Sequence, residues 1–134
     1  MIDWDAIDTV LLDMDGTLLD LHYDNFFWQQ HVPQRYAEIH SKDEAASRID
    51  LNQRFDSARG TLNWYSVDYW SEQLKLDIPA LKREIQHMIS VRPHVEEFLE
   101  GLQLAQKHVV LVTNAHRKAL EIKLARTRLN HWFD

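Results

Sequence analysis

The sequence has no cysteine, and only three glycines and three prolines in 134 residues. Without cysteine there is no disulfide, no thiolate metal site and no thiol nucleophile. There is no flexible linker, no repeat and no low-complexity tract. No apolar run approaches the ~18 residues that a membrane span needs. The N-terminus, Met1-Ile2-Asp3-Trp4-Asp5, is acidic where a secretory signal is basic. Positive charge is also in deficit: 15 Lys and Arg against 21 Asp and Glu leave a net charge of −6. That balance argues against general binding to nucleic acid or anionic membranes. These absences point to a soluble, cytoplasmic protein with no nucleic-acid or membrane partner. What is present is apolar: 45% hydrophobic residues, with five Trp, four Tyr and five Phe. That is ample for a core, and the length suits a single domain.

Two short apolar runs stand out from an otherwise helix-like sequence. One is Val10-Leu11-Leu12, entered through Thr9 and ending in Asp13. The other is Val109-Val110-Leu111-Val112, ending in Thr113-Asn114. Continuous β-branched and leucine runs of this kind read as parallel strands buried on both faces of an α/β sheet. Ligands of such sheets bind at the carboxyl ends of the strands, so both polar endings belong at one edge. The stretch between the runs reads as helical throughout. Phe26, Phe27 and Gln30 open one segment, which Pro33 is expected to kink. Ser41-Lys42-Asp43-Glu44 has the form of a capping box ahead of Ala45, Ala46 and Ile49. Leu62, Tyr65, Tyr69, Trp70 and Leu74 form a stripe at helical spacing. Asp77 is placed to cap a helix bearing Ile78, Leu81, Ile85, Met88 and Ile89. After Pro93 a helix presents Val95, Phe98, Leu99, Leu102 and Ala105, and a last helix begins near His116 with Leu120 and Leu124. One helix is enough for the crossover between parallel strands. The helices of residues 20–90 are therefore surplus and read as an inserted cap over the site edge. Residues 1–19 and 91–134 read as the α/β core.

The first strand runs into Asp13-Met14-Asp15-Gly16-Thr17-Leu18. Carboxylates two residues apart point the same way on a continuing strand. Gly16 lets the backbone leave the strand by a route closed to other residues. Such a pair suits a hard cation such as Mg²⁺. It also suits phosphoryl transfer, with one carboxylate as nucleophile and the other as acid and base. A bare Asp-x-Asp more often caps loop amides, but Asp-x-Asp-Gly-Thr straight after a buried strand favours function.

This segment resembles motif I of the haloacid dehalogenase (HAD) superfamily, and Leu111-Val112-Thr113-Asn114 resembles its motif II. The resemblance implies a Rossmannoid α/β core, of which this chain supplies the first two parallel strands, with an all-helical C1 cap between the motifs. It implies Asp13 as nucleophile and Asp15 as acid/base, both at a Mg²⁺ site. It further implies Met14, Gly16, Thr17, Thr113 and Asn114 at the phosphate. Arg92-Pro93-His94-Val95-Glu96-Glu97-Phe98-Leu99 resembles the re-entry helix. A narrower likeness is to bacterial GMP/IMP nucleotidases of the superfamily. It is carried by Thr9 to Leu21, Asp24-Asn25-Phe26-Phe27-Trp28, Thr61-Leu62-Asn63-Trp64-Tyr65, Asp68 to Leu74, and Thr113-Asn114-Ala115-His116. The implied partner is a small phosphomonoester, a purine nucleotide.

The superfamily also uses a later lysine and a later acidic residue. After Thr113 the only lysines are Lys118 and Lys123, on the next helix and too early to match; Glu121 and Asp134 do not fit the missing acid. Two strands make a poor sheet with open edges. The expectation is an N-terminal part whose exposed edge is covered by a missing C-terminal half or a second copy. Three readings follow: a purine 5′-nucleotidase; a superfamily phosphatase for a sugar phosphate or phosphoglycolate; and a catalytically incompetent fragment or interaction module. Asp20, Trp64, Tyr65, Tyr69 and His116 are candidates to touch substrate. For the aromatics, core packing at helical spacing is the blander alternative, and for Asp20 and Asp24 it is helix capping. The remaining histidines show no ligand spacing.

Overall fold

The computed structural model describes all 134 residues. Two parallel strands, β1 (Thr9–Leu12) and β2 (His108–Leu111), pair with Thr9 opposite His108 and Leu12 opposite Leu111. The ladder extends past both ends, through His108 N–H to Asp8 O at 2.9 Å and Val112 N–H to Leu12 O at 2.8 Å. The strands are parallel as expected but are not buried on both faces. Leu11 is 65% exposed and Val112 53%. Successive strand residues point to opposite faces. Val10 and Leu12 pack on the core, while Thr9 and Leu11 lie on a face left open to solvent. The outer edge of β2 meets the last residue: Asp134 N–H donates to Val109 O at 2.8 Å, and its carboxylate accepts from Val109 N–H at 2.9 Å.

Five helices lie between the first strand's loop and Pro93: α1 (His22–Phe26), α2 (Val32–His40), α3 (Glu44–Ala58), α4 (Val67–Leu74) and α5 (Ile78–Glu84). They form the helical cap of an α/β core. The crossover helix α6 (Val95–Leu104) leads into β2, and α7 (Arg117–Thr127) follows it. The outgoing and returning connections run side by side. Asp20 N–H donates to Ser90 O at 3.0 Å and Arg92 N–H to Leu18 O at 2.9 Å. A single apolar cluster joins Met14, just past β1, and Val109, within β2, to Phe55 and Trp70 among the cap helices. No helix is long and apolar enough to cross a membrane.

The helical path does not end at Pro33 but leaves α geometry just before it. A π-helical turn, Phe27–His31, joins α1 to α2, with Val32 N–H reaching back to Phe27 O. Pro33 has no N–H for the carbonyl of Gln29, four residues earlier. That carbonyl accepts from Arg48 Nη1 at 2.7 Å instead. The cap of α3 is Asp43, which accepts from Ala46 N–H at 2.9 Å. Ser41 is instead the left-handed residue ending α2. The inward face of α3 is Ser47, Leu51, Phe55 and Ala58, and Ile49 is exposed. The stripe from Leu62 to Leu74 is also broken. Ser66 caps α4 at Tyr69 N–H, so Leu62 and Tyr65 sit on a separate 3₁₀ turn and are exposed, while Trp70 and Leu74 are buried. Asp77 caps α5 as expected, accepting from Ala80 N–H at 3.0 Å. Gln106 takes the left-handed conformation between α6 and β2, at φ 57°, where glycine is the easier residue.

Candidate active site

The loop after β1 folds tightly around Met14, which is fully buried. Its carbonyl faces the amides of Thr17, Leu18 and Leu19 at 2.9–3.2 Å. Gly16 has φ +79°, and a Cβ there would stand 3.2 Å from the Leu21 side chain. The turn therefore needs glycine for its conformation and is tight in space as well. Asp13 is exposed, and its carboxylate accepts from Met14 N–H at 2.8 Å. The amides expected at a phosphate are engaged here. Met14 N–H goes to Asp13, Gly16 N–H to Leu19 O at 2.8 Å, and Thr17 N–H to Met14 O. At the end of β2, Thr113 Oγ1 accepts from Ala115 N–H at 3.0 Å, and Asn114 is exposed.

Between this edge and the cap lies a cavity of about 870 Å³. Of the candidate residues it brings together Asp15, Trp64, Tyr65 and His116. Asp13, Met14, Gly16, Thr17, Thr113 and Asn114 do not line it, nor do Asp20 and Tyr69. Asp20 accepts from His22 N–H at 2.7 Å at the start of α1. Tyr69 packs edge-on against Trp70, with ring centroids 5.0 Å apart. Trp28, Phe55 and Trp70 meet edge to face within the cavity wall. Trp70 Nε1 donates to Trp64 O at 3.1 Å, which fixes the turn carrying Trp64. The guanidinium of Arg59 lies 5.4 Å from the Trp64 ring.

The cavity's charged floor was not legible as a site. Lys123, on α7, is 3% exposed, and its ammonium donates to Asp15 Oδ1 at 2.7 Å and to both oxygens of Asp24 at 2.8 and 3.0 Å. Asp24 is thus an ion-pair partner and not only a helix-start residue. Lys82, on α5, is equally buried, with Nζ 4.0 Å from Asp24 and 4.3 Å from the Phe27 ring centroid. Burial pushes the Lys82 ammonium down to about 8, because a charge in a low-dielectric site is disfavoured. Burial, with Asp24 beside it, pushes the Tyr23 hydroxyl up; that hydroxyl donates to Lys82 O at 2.8 Å. The signal for Lys82 was its place in the stripe Ile78, Leu81, Lys82, Ile85, where a lysine occupies an apolar i+4 position. Lys123 likewise sits with Ala119 and Ile122 on the buried face of α7, one residue off the Leu120–Leu124 face read from sequence.

At the cavity rim, His116 caps α7. Its Nδ1 accepts from Lys118 N–H at 3.2 Å, leaving Nε2–H to face Asp68 at 3.4 Å. Lys118 Nζ donates to the same carboxylate at 2.6 Å, which holds Asp68 below the usual carboxylate range. Asp68 belongs to α4, so this pairing, like Lys123–Asp24, ties α7 to the cap.

A sequence model of the haloacid dehalogenase-like hydrolases matches residues 7–134. The chain is 44% identical over 133 residues to "GMP/IMP nucleotidase YrfG" of Escherichia coli (strain K12), and equally to that of Shigella flexneri. The match covers 99% of this chain and 60% of each relative. Among solved structures, a HAD phosphatase from Thermococcus onnurineus superposes with a TM-score of 0.81 at 23% identity, over 96% of this chain and 60% of that one. The L-2-haloacid dehalogenase of Xanthobacter autotrophicus gives 0.50 at 17% identity, over 96% and 55%. These likenesses support the α/β fold with a helical cap.

Hydrolases of this family generally use Mg²⁺. The donors of residues 1–134 do not fit that ion as arranged. Nowhere do three carboxylate or imidazole groups converge. The Asp15 carboxylate is held by the Lys123 ammonium, and Asp13 stands alone at the surface. Mg²⁺ prefers near-octahedral oxygen ligation and leaves its water reluctantly.

Proposed function

The chain belongs to the haloacid dehalogenase-like hydrolases, and from that premise we propose that it carries the nucleophile, the acid/base and the cap of a phosphomonoester hydrolase acting on purine 5′-nucleotides. The observation that carries this reading is the cavity that holds Asp15 together with the rings of Trp28, Trp64 and Tyr65. Aromatic faces of that kind stack on bases, and a volume of about 870 Å³ is within the range of small-molecule sites. The identity to relatives named as GMP/IMP nucleotidases favours 6-oxopurines.

In this reading an Asp13 oxygen attacks phosphorus, and the departing nucleoside oxygen takes a proton from Asp15. Asp15 then removes a proton from the water that releases phosphate from Asp13. Thr113 and Asn114 position phosphoryl oxygens, and the cap excludes bulk water. The Mg²⁺ expected from the family has no complete donor set in residues 1–134, so each of these steps is assigned to side chains alone. The domain division, core at 1–19 and 91–134 with cap at 20–90, is part of the same proposal.

The test is phosphate release by the native gene product from GMP, IMP, AMP, phosphoglycolate and a sugar phosphate. GMP and IMP are expected to lead, and Asp13→Asn to abolish release. Substantial turnover by Asp13→Asn refutes the nucleophile, and preference for phosphoglycolate refutes the base-binding role of the cap. A second reading, that residues 1–134 by themselves bind without turning over, is favoured by the Lys123 ammonium on Asp15. Release by the 134-residue chain alone would sink it.

A further inference from the structure

Seven ionic side chains line the cavity besides His116: Asp15, Asp24, Asp56, Arg48, Arg59, Lys82 and Lys123. Six of them are paired. Lys123 serves Asp15 and Asp24, Arg48 holds Glu44 at 2.8 Å, and Arg59 holds Asp56 at 3.2 Å. Lys82 is the exception. Its nearest carboxylate is Asp24 at 4.0 Å, and both oxygens of Asp24 already accept from Lys123. Its ammonium makes no hydrogen bond. The rings of Phe27, Trp28 and Tyr23 surround it at 4.3, 5.3 and 5.7 Å.

A buried charge without hydrogen-bonded partners is costly. The Lys82 ammonium is nonetheless not sealed off. Trp132 Nε1 is the one buried side-chain polar atom that has neither solvent access nor a partner, and Lys82 opens onto the cavity. Its N–H donors therefore have no acceptor, on a cap residue that lines the same cavity as Asp15. Burial pushes this ammonium down to about 8, and an incoming anion would relieve that pressure.

We propose that Lys82 is an anion receptor of the cavity, a cap-borne ammonium that donates hydrogen bonds to the phosphoryl oxygens of a phosphomonoester. The inference rests on reading the cavity as a phosphomonoester site. It assigns to the cap a positive charge that neither motif in the first-strand loop nor that at Thr113-Asn114 provides. A dianionic phosphate suits it better than a neutral acceptor, because the unmet demand is for both charge and several acceptor atoms.

The experiment is calorimetric titration of the 134-residue chain with inorganic phosphate, with 5′-GMP and with 2-chloropropionate, in wild type, Lys82→Met and Lys82→Arg. Lys82→Met is expected to weaken phosphate and GMP about ten-fold or more, because a charge-assisted donor is lost. Lys82→Arg is expected to retain most of the affinity, and the carboxylate to bind to none of the three. Removing a buried charge favours folding, and circular dichroism checks it; Lys82→Gln replaces the methionine variant if it does not fold. Phosphate and GMP binding that is indifferent to Lys82 overturns the inference and leaves the phosphomonoesterase reading standing. Lys82-dependent binding of 2-chloropropionate but not phosphate overturns both. Absence of binding by wild type overturns the inference alone, since phosphate release by the native gene product judges the reading separately.

Discussion

The cap and the strand layer handle their polar and apolar groups differently. Among the cap helices the large rings interlock: Trp28, Phe55 and Trp70 meet at 5.0–6.1 Å, and the buried donors Tyr23 O–H and Trp70 Nε1 both reach backbone carbonyls. In the strand layer Leu11, Val112 and Leu104 are more than half exposed, and Trp132 keeps its orphan donor. Two strands cannot enclose both of their faces, whereas five helices enclose a core between them. The cap thus packs its large rings against one another, while the layer bearing Asp13 leaves one face of its strands in water. The two buried lysines repeat the contrast in electrostatic form. Lys123, from the core side, bridges two carboxylates, while Lys82, from the cap side, hydrogen-bonds to none.

Removing one ring from the cap puts the first contrast to its hardest trial. Trp70→Ala should cost about 3–5 kcal/mol in urea unfolding, through lost burial and the cavity left behind. A loss below a quarter of that would mean the cap core is not close-packed. Lys123→Met should destabilise by about 2–4 kcal/mol, because Asp15 and Asp24 lose their shared counter-charge; full burial of a broken pair would cost more, but both carboxylates are partly exposed. Lys82→Met should go the other way and raise stability by ~2–3 kcal/mol at pH 7. Its sign is set by the pKa. The folded state gives up the Lys82 proton near 8 and the unfolded chain near 10.5. Between those values the unfolded chain binds more protons, so wild-type stability rises with pH there and the advantage of Lys82→Met shrinks. Equal unfolding midpoints for the two lysine variants would erase the contrast. Smallest is Leu11→Thr, expected within about 0.5 kcal/mol of wild type because the side chain is largely in water. A large loss in that variant would mean the open face is covered in solution.

The sequence made the strands, their parallel pairing, the inserted helices and the Asp13–Gly16 turn legible, because each has a short-range signature: a β-branched run, a surplus of helical period, a glycine beside two carboxylates. Cap details were less legible. The stripe from Leu62 to Leu74 kept helical spacing across Ser66, and spacing alone cannot register that a serine side chain ends one turn and starts another. The cavity floor was missed for a different reason. Lys82 and Lys123 lie far apart in sequence from each other and from Asp24. Lysine is read by habit as surface, and only a three-dimensional packing brings those charges to one place.

The π turn at Phe27–His31 has a bearing on how this molecule can tolerate changes of length. A π turn holds one residue more than the α turn it replaces, and so absorbs an extra residue that in a regular helix would rotate one flank by roughly 100°. Deleting a single residue between Phe27 and His31 would let α1 and α2 close into one regular helix. Because the wide turn already takes up that residue, Tyr23 and Asp24 would keep their facing relative to α2, with Asp24 still at the Lys123 ammonium. The same gap inside α3 has no such slack and would turn one half of that helix by roughly 100° against the other. The chain can therefore lose a residue at this one place in the cap and keep the floor of its cavity.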